Sequence, residues 1–263
     1  MNLENKVALI TGGAMGIGRG ITETFLKYGA EVIILDSNEK LGETLTELNG
    51  TYPGKVSGYI VDITKKELLE SVYQTLSTKY QSLDIIVNNA GVCKLAPFSE
   101  MTDDIRDFHF NINVIGAWNV TKTYLPLLKK SASPAIVNLS SVTGPMVADS
   151  GEAAYATSKA AVLGMTKALA MELAVDNIRV NAIMPGYVLT PMVKKMSEES
   201  NPENPQSVID GIAQAIPMKR LADPKEIGEL AAFLASSSSS YITGQGIVID
   251  GGSTLPETMT MGV

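Results

Sequence analysis

The stretch VALITGGAMGIGRGI, residues 7–21, decides the fold. A short apolar, β-branched run, Val7–Ile10, meets a glycine turn and then a helical pattern. Gly12, Gly16 and Gly18 stand in a G-x-x-x-G-x-G spacing. At a strand-to-helix junction each glycine has a separate use. Gly12 permits a tight turn, Gly16 lets backbone amides approach a pyrophosphate, and Gly18 lets helix and strand pack closely. An anion would then sit at the helix N-terminus, where free N–H groups and the peptide dipoles favour negative charge. Met15 and Ile17 lie between these glycines and are expected on the same cradle. Taken alone, the run also reads as an ordinary glycine-rich turn.

Working outward, the same strand-then-helix rhythm repeats. Apolar runs recur at Val32–Leu35, Val56–Val61, Ile85–Val87, Ala135–Leu139, Val180–Ile183 and Ile247–Ile249. Most are continuously apolar rather than alternating, as strands covered on both faces are. Helical stretches lie between them at about 17–28, 39–49, 65–80, 102–130, 152–175 and 224–236. The expected fold is α/β: a Rossmann-type, doubly wound parallel sheet of about seven strands, with right-handed crossovers, in a single domain over 1–263. Residues 197–217 break the rhythm with Pro202, Pro205 and Pro217 among several acids. They read as part of a lid over the site, about 187–218, rather than as a domain boundary. The serine run Ser236–Ser240 reads as a helix-ending turn.

Polar residues at the carboxyl ends of these strands would face the ligand crevice. Asp36 ends the second strand, twenty residues after Gly16. An acid there accepts hydrogen bonds from adenosine ribose hydroxyls and repels a 2′-phosphate, and no Arg or Lys stands at Ser37 or in 13–15 to offset it. NAD is therefore expected rather than NADP. Asp36 also reads as a plain turn residue, and Arg19 as a helix residue facing solvent or an acid. Asp62, with Ile63 beside it, follows the third strand and could accept from the adenine amino group or cap its own turn. After the fourth strand, Asn88-Asn89-Ala90-Gly91 reads as a loop in which asparagines tie neighbouring loops together, while Ala90 and Gly91 leave room for the cofactor.

Tyr155 and Lys159 stand at i and i+4 in EAAYATSKAAVLGMTKALAMEL, and so share a helix face. A free phenol ionises at about 10, too high for acid–base work at neutral pH. A nearby ammonium stabilises the phenolate and lowers that value. Ser141 ends the fifth strand fourteen residues before Tyr155, where its hydroxyl could hold a substrate oxygen. Strand alternation turns its neighbour Ser140 away. Asn113 sits inside the long helical stretch, where a free side chain could recruit water toward Lys159. Each of these residues alone also reads as helix decoration.

In this order, TGGAMGIG (11–18), Asp62, NNAG (88–91), Asn113, Ser141, Tyr155-x-x-x-Lys159 and Pro185-Gly186 resemble the short-chain dehydrogenase/reductase family over nearly the whole chain. The stretches NNAGVCKL, FHFNINVIGAWNVTK and IDGGSTLPET resemble one bacterial oxidoreductase subgroup within it. The resemblance implies a catalytic set of Asn113, Ser141, Tyr155 and Lys159. It implies that Thr190 and Val188, in PGYVLTP, contact the nicotinamide end of the cofactor. It also implies a homotetramer. The expected activity is hydride transfer between a nicotinamide cofactor and a secondary alcohol or ketone. An NADPH-linked 3-ketoacyl-type reductase is the alternative within enzymes, and a nicotinamide sensor without turnover is the alternative outside them.

Composition narrows the partners. The net charge of −7 over 263 residues disfavours nucleic acid and anionic membrane, which call for concentrated Lys/Arg. The N-terminal apolar run is too short for a signal or a span, and one cysteine, Cys93, fits a reducing cytoplasm. Cys93 and His109 are too few for a His/Cys metal site, so no metal is expected. Lys94, after the NNAG loop, could meet an anionic substrate group or stand in solvent. The helix near 152–175 carries more apolar surface than one sheet face needs, which suggests a symmetric interface. The tail, 255–263, is expected to lie across a subunit boundary.

Overall fold

A computed structural model describes residues 1–256. Seven strands form one sheet: β1 Val7–Thr11, β2 Glu31–Asp36, β3 Val56–Ile60, β4 Ile85–Asn88, β5 Ala135–Leu139, β6 Arg179–Pro185 and β7 Gly246–Ile249. Their order is β3-β2-β1-β4-β5-β6-β7 and every pairing is parallel. All seven stretches expected as strands are strands, with ends moved by one or two residues.

Continuous apolarity follows from two cores, one on each face. Successive side chains of a strand point to opposite faces. Ala8, Ile10, Ile34 and Val87 enter one core with Phe25, Leu41 and Ile227. Leu9, Ile33 and Ile86 enter the other with Leu69, Tyr124 and Ala170. The first face is covered by α1 Gly16–Lys27, α2 Leu41–Thr51 and α9 Pro224–Ala235. The second is covered by α3 Lys66–Lys79, α5 Ala117–Leu128 and α6 Ala153–Leu173. A capping box between Asp223 and Glu226, with Pro224 at the first helical position, starts α9. Helices α1 and α9 approach so closely that a Cβ on Gly20 would lie 2.4 Å from the Pro224 main chain.

Two expectations change. The stretch 102–130 is not one regular helix. It runs as α4 Asp103–His109, a π-helical turn over Phe110–Gly116, and then α5. Asn113 lies in that turn, and Gly116 closes it where a Cβ would meet the Ile63 side chain at 2.5 Å. The segment read as a lid is a helix pair rather than an irregular insertion: α7 Pro191–Ser200 and α8 Pro205–Ala215. Of the prolines that break the rhythm, Pro205 starts α8 behind the cap Asn204, just as Pro191 starts α7 behind the cap Thr190, positions where a missing N–H costs nothing; Pro202 and Pro217 lie in turns.

The serine run is a short 3₁₀ turn ending α9, held by Arg179, whose Nη1 donates to the Leu234 carbonyl and to Ser239. No helix among the described residues is long and apolar enough to cross a membrane. No described group of three or more His, Cys, Asp and Glu could hold a metal ion. Leu255 is exposed, and the rest of the expected tail contact, from residue 257 on, lies outside the described residues.

Candidate active site

The strand order reverses between β1 and β4, and a crevice opens beyond the carboxyl ends of the strands at such a point. A cavity of about 400 Å³ lies there. Residues at or just beyond the carboxyl ends of β1, β2, β4, β5 and β6 form its wall, among them Gly12, Asp36, Asn89, Ser141 and Gly186.

The glycine loop is shaped for a close ligand. Gly12 and Gly16 have φ of 65° and 56°, a region that favours glycine. A Cβ on Gly18 would lie 2.0 Å from the Gly12 carbonyl oxygen. Helix α1 starts at Gly16 without a side-chain cap from Met15, so its first amides remain available to an anion. Loop and NNAG segment hold each other. The Asn89 side chain donates to the carbonyls of Thr11 and Gly12, and the amides of Asn89 and Ala90 donate to the Thr11 hydroxyl. These features fit a dinucleotide with its diphosphate on α1.

Asp36 is buried and lines the cavity. One carboxylate oxygen accepts from the Ala14 amide and the other from the Asn38 amide, both at 2.9 Å. Asp36 thus rivets the glycine loop to β2 while facing the crevice. Arg19 is committed elsewhere, to Glu23 at 2.7 Å and Glu47 at 3.1 Å. Among the described residues, Lys159 is the one cation in the wall.

At the other end stand Ser141, Tyr155 and Lys159. The Ser141 hydroxyl accepts from the Thr143 amide at 3.1 Å. Ser140, turned away as alternation requires, donates to the Lys159 carbonyl. The Lys159 ammonium is buried; it donates to the Leu139 carbonyl at 2.8 Å and lies 5.7 Å from the centre of the Tyr155 ring. Burial lowers the lysine to about 8. Burial likewise pushes the Tyr155 phenol up to about 12, opposed by the Ser141 hydroxyl and reinforced by Cys93 and Glu152. This direction is opposite to the one expected of a neighbouring ammonium. Desolvation disfavours the phenolate, and the lysine spends its proton on Leu139.

Asn113 is buried behind this wall. Its Oδ1 accepts from the Val92 amide, and its Nδ2 donates to the Val92 carbonyl and to Ser158. It therefore fastens the NNAG loop to α6.

Not every expected residue reaches the wall. One oxygen of Asp62 caps its own turn at the Thr64 amide and hydroxyl. Ile63 is buried against Gly116, and Val188 is buried and pairs with Ala222. Thr190 lines the cavity and also caps α7 at the Val193 amide. The wall adds residues that the motifs did not mark: Ser37, Asn38, Val92, Ile112, Leu139, Pro191 and Met192. Each adjoins or lies within two residues of a motif position, and that proximity was the signal available.

Comparison with known proteins agrees with this geometry. A family model described as enoyl-(acyl carrier protein) reductase, of the short-chain dehydrogenase type, matches residues 12–254. Oxidoreductase UcpA of Escherichia coli K12 is 52% identical over 261 residues, covering 99% of both chains. The 3-oxoacyl-[acyl-carrier-protein] reductase FabG of Thermotoga maritima is 42% identical over 253 residues, covering 96% of this chain and 99% of that one. Among solved structures, L-sorbose reductase from Gluconobacter frateurii, complexed with NADPH and L-sorbose, superposes with a TM-score of 0.92 at 30% identity, covering 97% of this chain and 98% of that one. The crevice at the strand reversal and these full-length matches lead to one assignment: the chain belongs to the short-chain dehydrogenase/reductase family, whose members carry out nicotinamide-dependent oxidation and reduction.

Proposed function

We propose that the protein interconverts a secondary alcohol and a ketone with NAD in preference to NADP, using Tyr155 as the proton-transferring group. The observation that carries this is the layout of one cavity: Ser141, Tyr155 and Lys159 at one end, and Asp36 at the other with no free cation beside it.

Ser141 would hold the substrate oxygen beside the phenol. Tyr155, kept protonated by burial, is poised as a general acid for ketone reduction and takes the proton back in alcohol oxidation. Lys159 would hold the nicotinamide ribose, and Asn113 would keep the NNAG loop against the cofactor. A bound nicotinamide supplies the chemistry these side chains lack, accepting or delivering hydride at the substrate carbon. Gly12, Met15, Gly16, Ile17 and Gly18 would cradle the diphosphate. Asn89, Ala90, Gly91, Pro185, Gly186 and Thr190 would line the rest of the cofactor path. Asp62 keeps a second carboxylate oxygen for the adenine, while Ile63 and Val188 back the path from beneath.

The alternative, an NADPH-linked ketoacyl-type reductase, draws on the FabG likeness and on the NADPH in the L-sorbose reductase structure. Asp36 is the residue that separates the two readings.

We further propose a cytoplasmic homotetramer with helices α7 and α8 as its substrate lid. The single cysteine supports the setting. The outer face of α6, with Ala160, Gly164 and Ala168 exposed beside Met171, supports a close helix–helix contact. A cofactor-coupled screen of secondary alcohols, polyols and hydroxysteroids with both NAD and NADP tests the function. Turnover with the larger kcat/KM for NAD is expected; no turnover with either cofactor contradicts it.

A further inference from the structure

We propose that His109 is a positioning residue for the substrate side of the site. Its neutral imidazole holds the main chain of Lys94, and through it the run Val92–Lys94, beside Tyr155. The inference rests on the reading of Tyr155 given above.

His109 ends α4 and has no exposed surface. A polar ring so placed must spend both nitrogens on partners. Nε2 accepts from the Lys94 amide at 2.9 Å, and Nδ1 lies 2.7 Å from the Ile105 carbonyl oxygen. A backbone N–H can only donate and a carbonyl can only accept. The partners therefore assign the tautomer: the proton is on Nδ1 and the lone pair is on Nε2.

Four residues on, Asn113 takes the Val92 amide at 2.8 Å and gives to the Val92 carbonyl at 3.0 Å. His109 and Asn113 thus grip alternate residues of one short run, with Cys93 between them. Val92 lines the cavity. Cys93 is close enough to Tyr155 and Lys159 to act on the ionisation of both. The His109 ring also stands edge-on to the Tyr155 ring, with centroids 6.3 Å apart and planes at 69°. His109 touches no reacting atom, so its part is to fix where the Val92–Lys94 run, which brings Val92 to the cavity wall, and the phenol stand. A displaced wall would weaken substrate binding, and a displaced ring would slow the proton transfer.

Three variants of the full-length protein separate these effects. His109→Gln offers an oxygen where Nε2 stands and can still accept from Lys94. His109→Phe keeps a ring against Tyr155 but no acceptor, leaving the Lys94 amide without its side-chain partner. His109→Ala removes both. With a substrate that the parent turns over, His109→Phe should raise KM about tenfold while kcat stays within about threefold. His109→Gln should recover most of that KM, and His109→Ala should lose in both KM and kcat. Cofactor affinity should be unchanged throughout. Parent-like KM and kcat in His109→Phe overturn the proposal, as does a His109→Gln variant no better than His109→Phe. If the parent turns over no alcohol or ketone, the functional reading fails, and hydrogen exchange at the Lys94 amide still decides the role of His109. Protection lost in His109→Phe supports the grip, and unchanged protection overturns it.

Discussion

The Lys159 ammonium lies over the Tyr155 ring but donates to the Leu139 carbonyl. Burial favours the uncharged form of each group, and in this arrangement neither yet activates the other. Burial lowers the lysine to about 8 and raises the phenol to about 12.

A pH dependence of stability follows for the cofactor-free protein. An unfolded lysine ionises at about 10.4. Between about 8 and that value the unfolded chain binds the extra proton, so the lysine's contribution to stability rises with pH across this window. Denaturant unfolding at several pH values should show that rise in the parent and a smaller one in Lys159→Met. Equal slopes in the two proteins would show that the lysine is not desolvated.

Cofactor choice rests on Asp36. Replacing Asp36 by Ala and Ser37 by Arg removes the repulsion and supplies a phosphate partner. The ratio of kcat/KM values should move toward NADP by at least tenfold. A parent that uses NADP as well as NAD would refute the preference. Because Asp36 also holds the Ala14 amide, some loss of stability should accompany the change, on the order of 1–2 kcal/mol.

The glycine loop gives a simpler test. A Cβ at Gly18 has nowhere to go except into the Gly12 carbonyl. Gly18→Ala should cut cofactor affinity at least tenfold, read by titration of the folded protein. Undiminished affinity would mean that the diphosphate lies elsewhere.

Assembly can be weighed directly. Light scattering should return a mass well above the 27.9 kDa of one chain. Gly164→Glu places a charge on the open outer face of α6, where nothing lies within 4 Å of an added Cβ, and should lower that mass. A single-chain mass for the parent at micromolar concentration would contradict the proposed interface.

The fold was largely legible because two signals agreed. Continuously apolar strands announced a sheet covered on both faces, and the glycine spacing at 12, 16 and 18 placed its ligand end. The helix near 102–130 was less so, because apolar periodicity does not distinguish an α turn from a π turn. At the end of the break at Phe110–Gly116, Ile63 fills the space beside Gly116, a contact between distant parts of the chain. Pro205 reads as an interruption for a local reason: at a helix start proline helps, and only the cap before it shows which case applies. In the site, Ser141, Tyr155 and Lys159 were readable from spacing. The sign of the Tyr155 shift was not, since it depends on how much water the folded cavity excludes and on where Lys159 points. His109 lies in a stretch that carries the resemblance but no role for it, and that role comes from the Lys94 amide it meets.

The most direct test of the account is Tyr155→Phe, which keeps the ring and removes the ionisable hydroxyl. Measured with a substrate that the parent turns over, kcat should fall by about 10²–10⁴-fold while cofactor affinity stays within about twofold. A variant that keeps a large share of the parent's kcat would contradict the account, because another group would then be moving the proton.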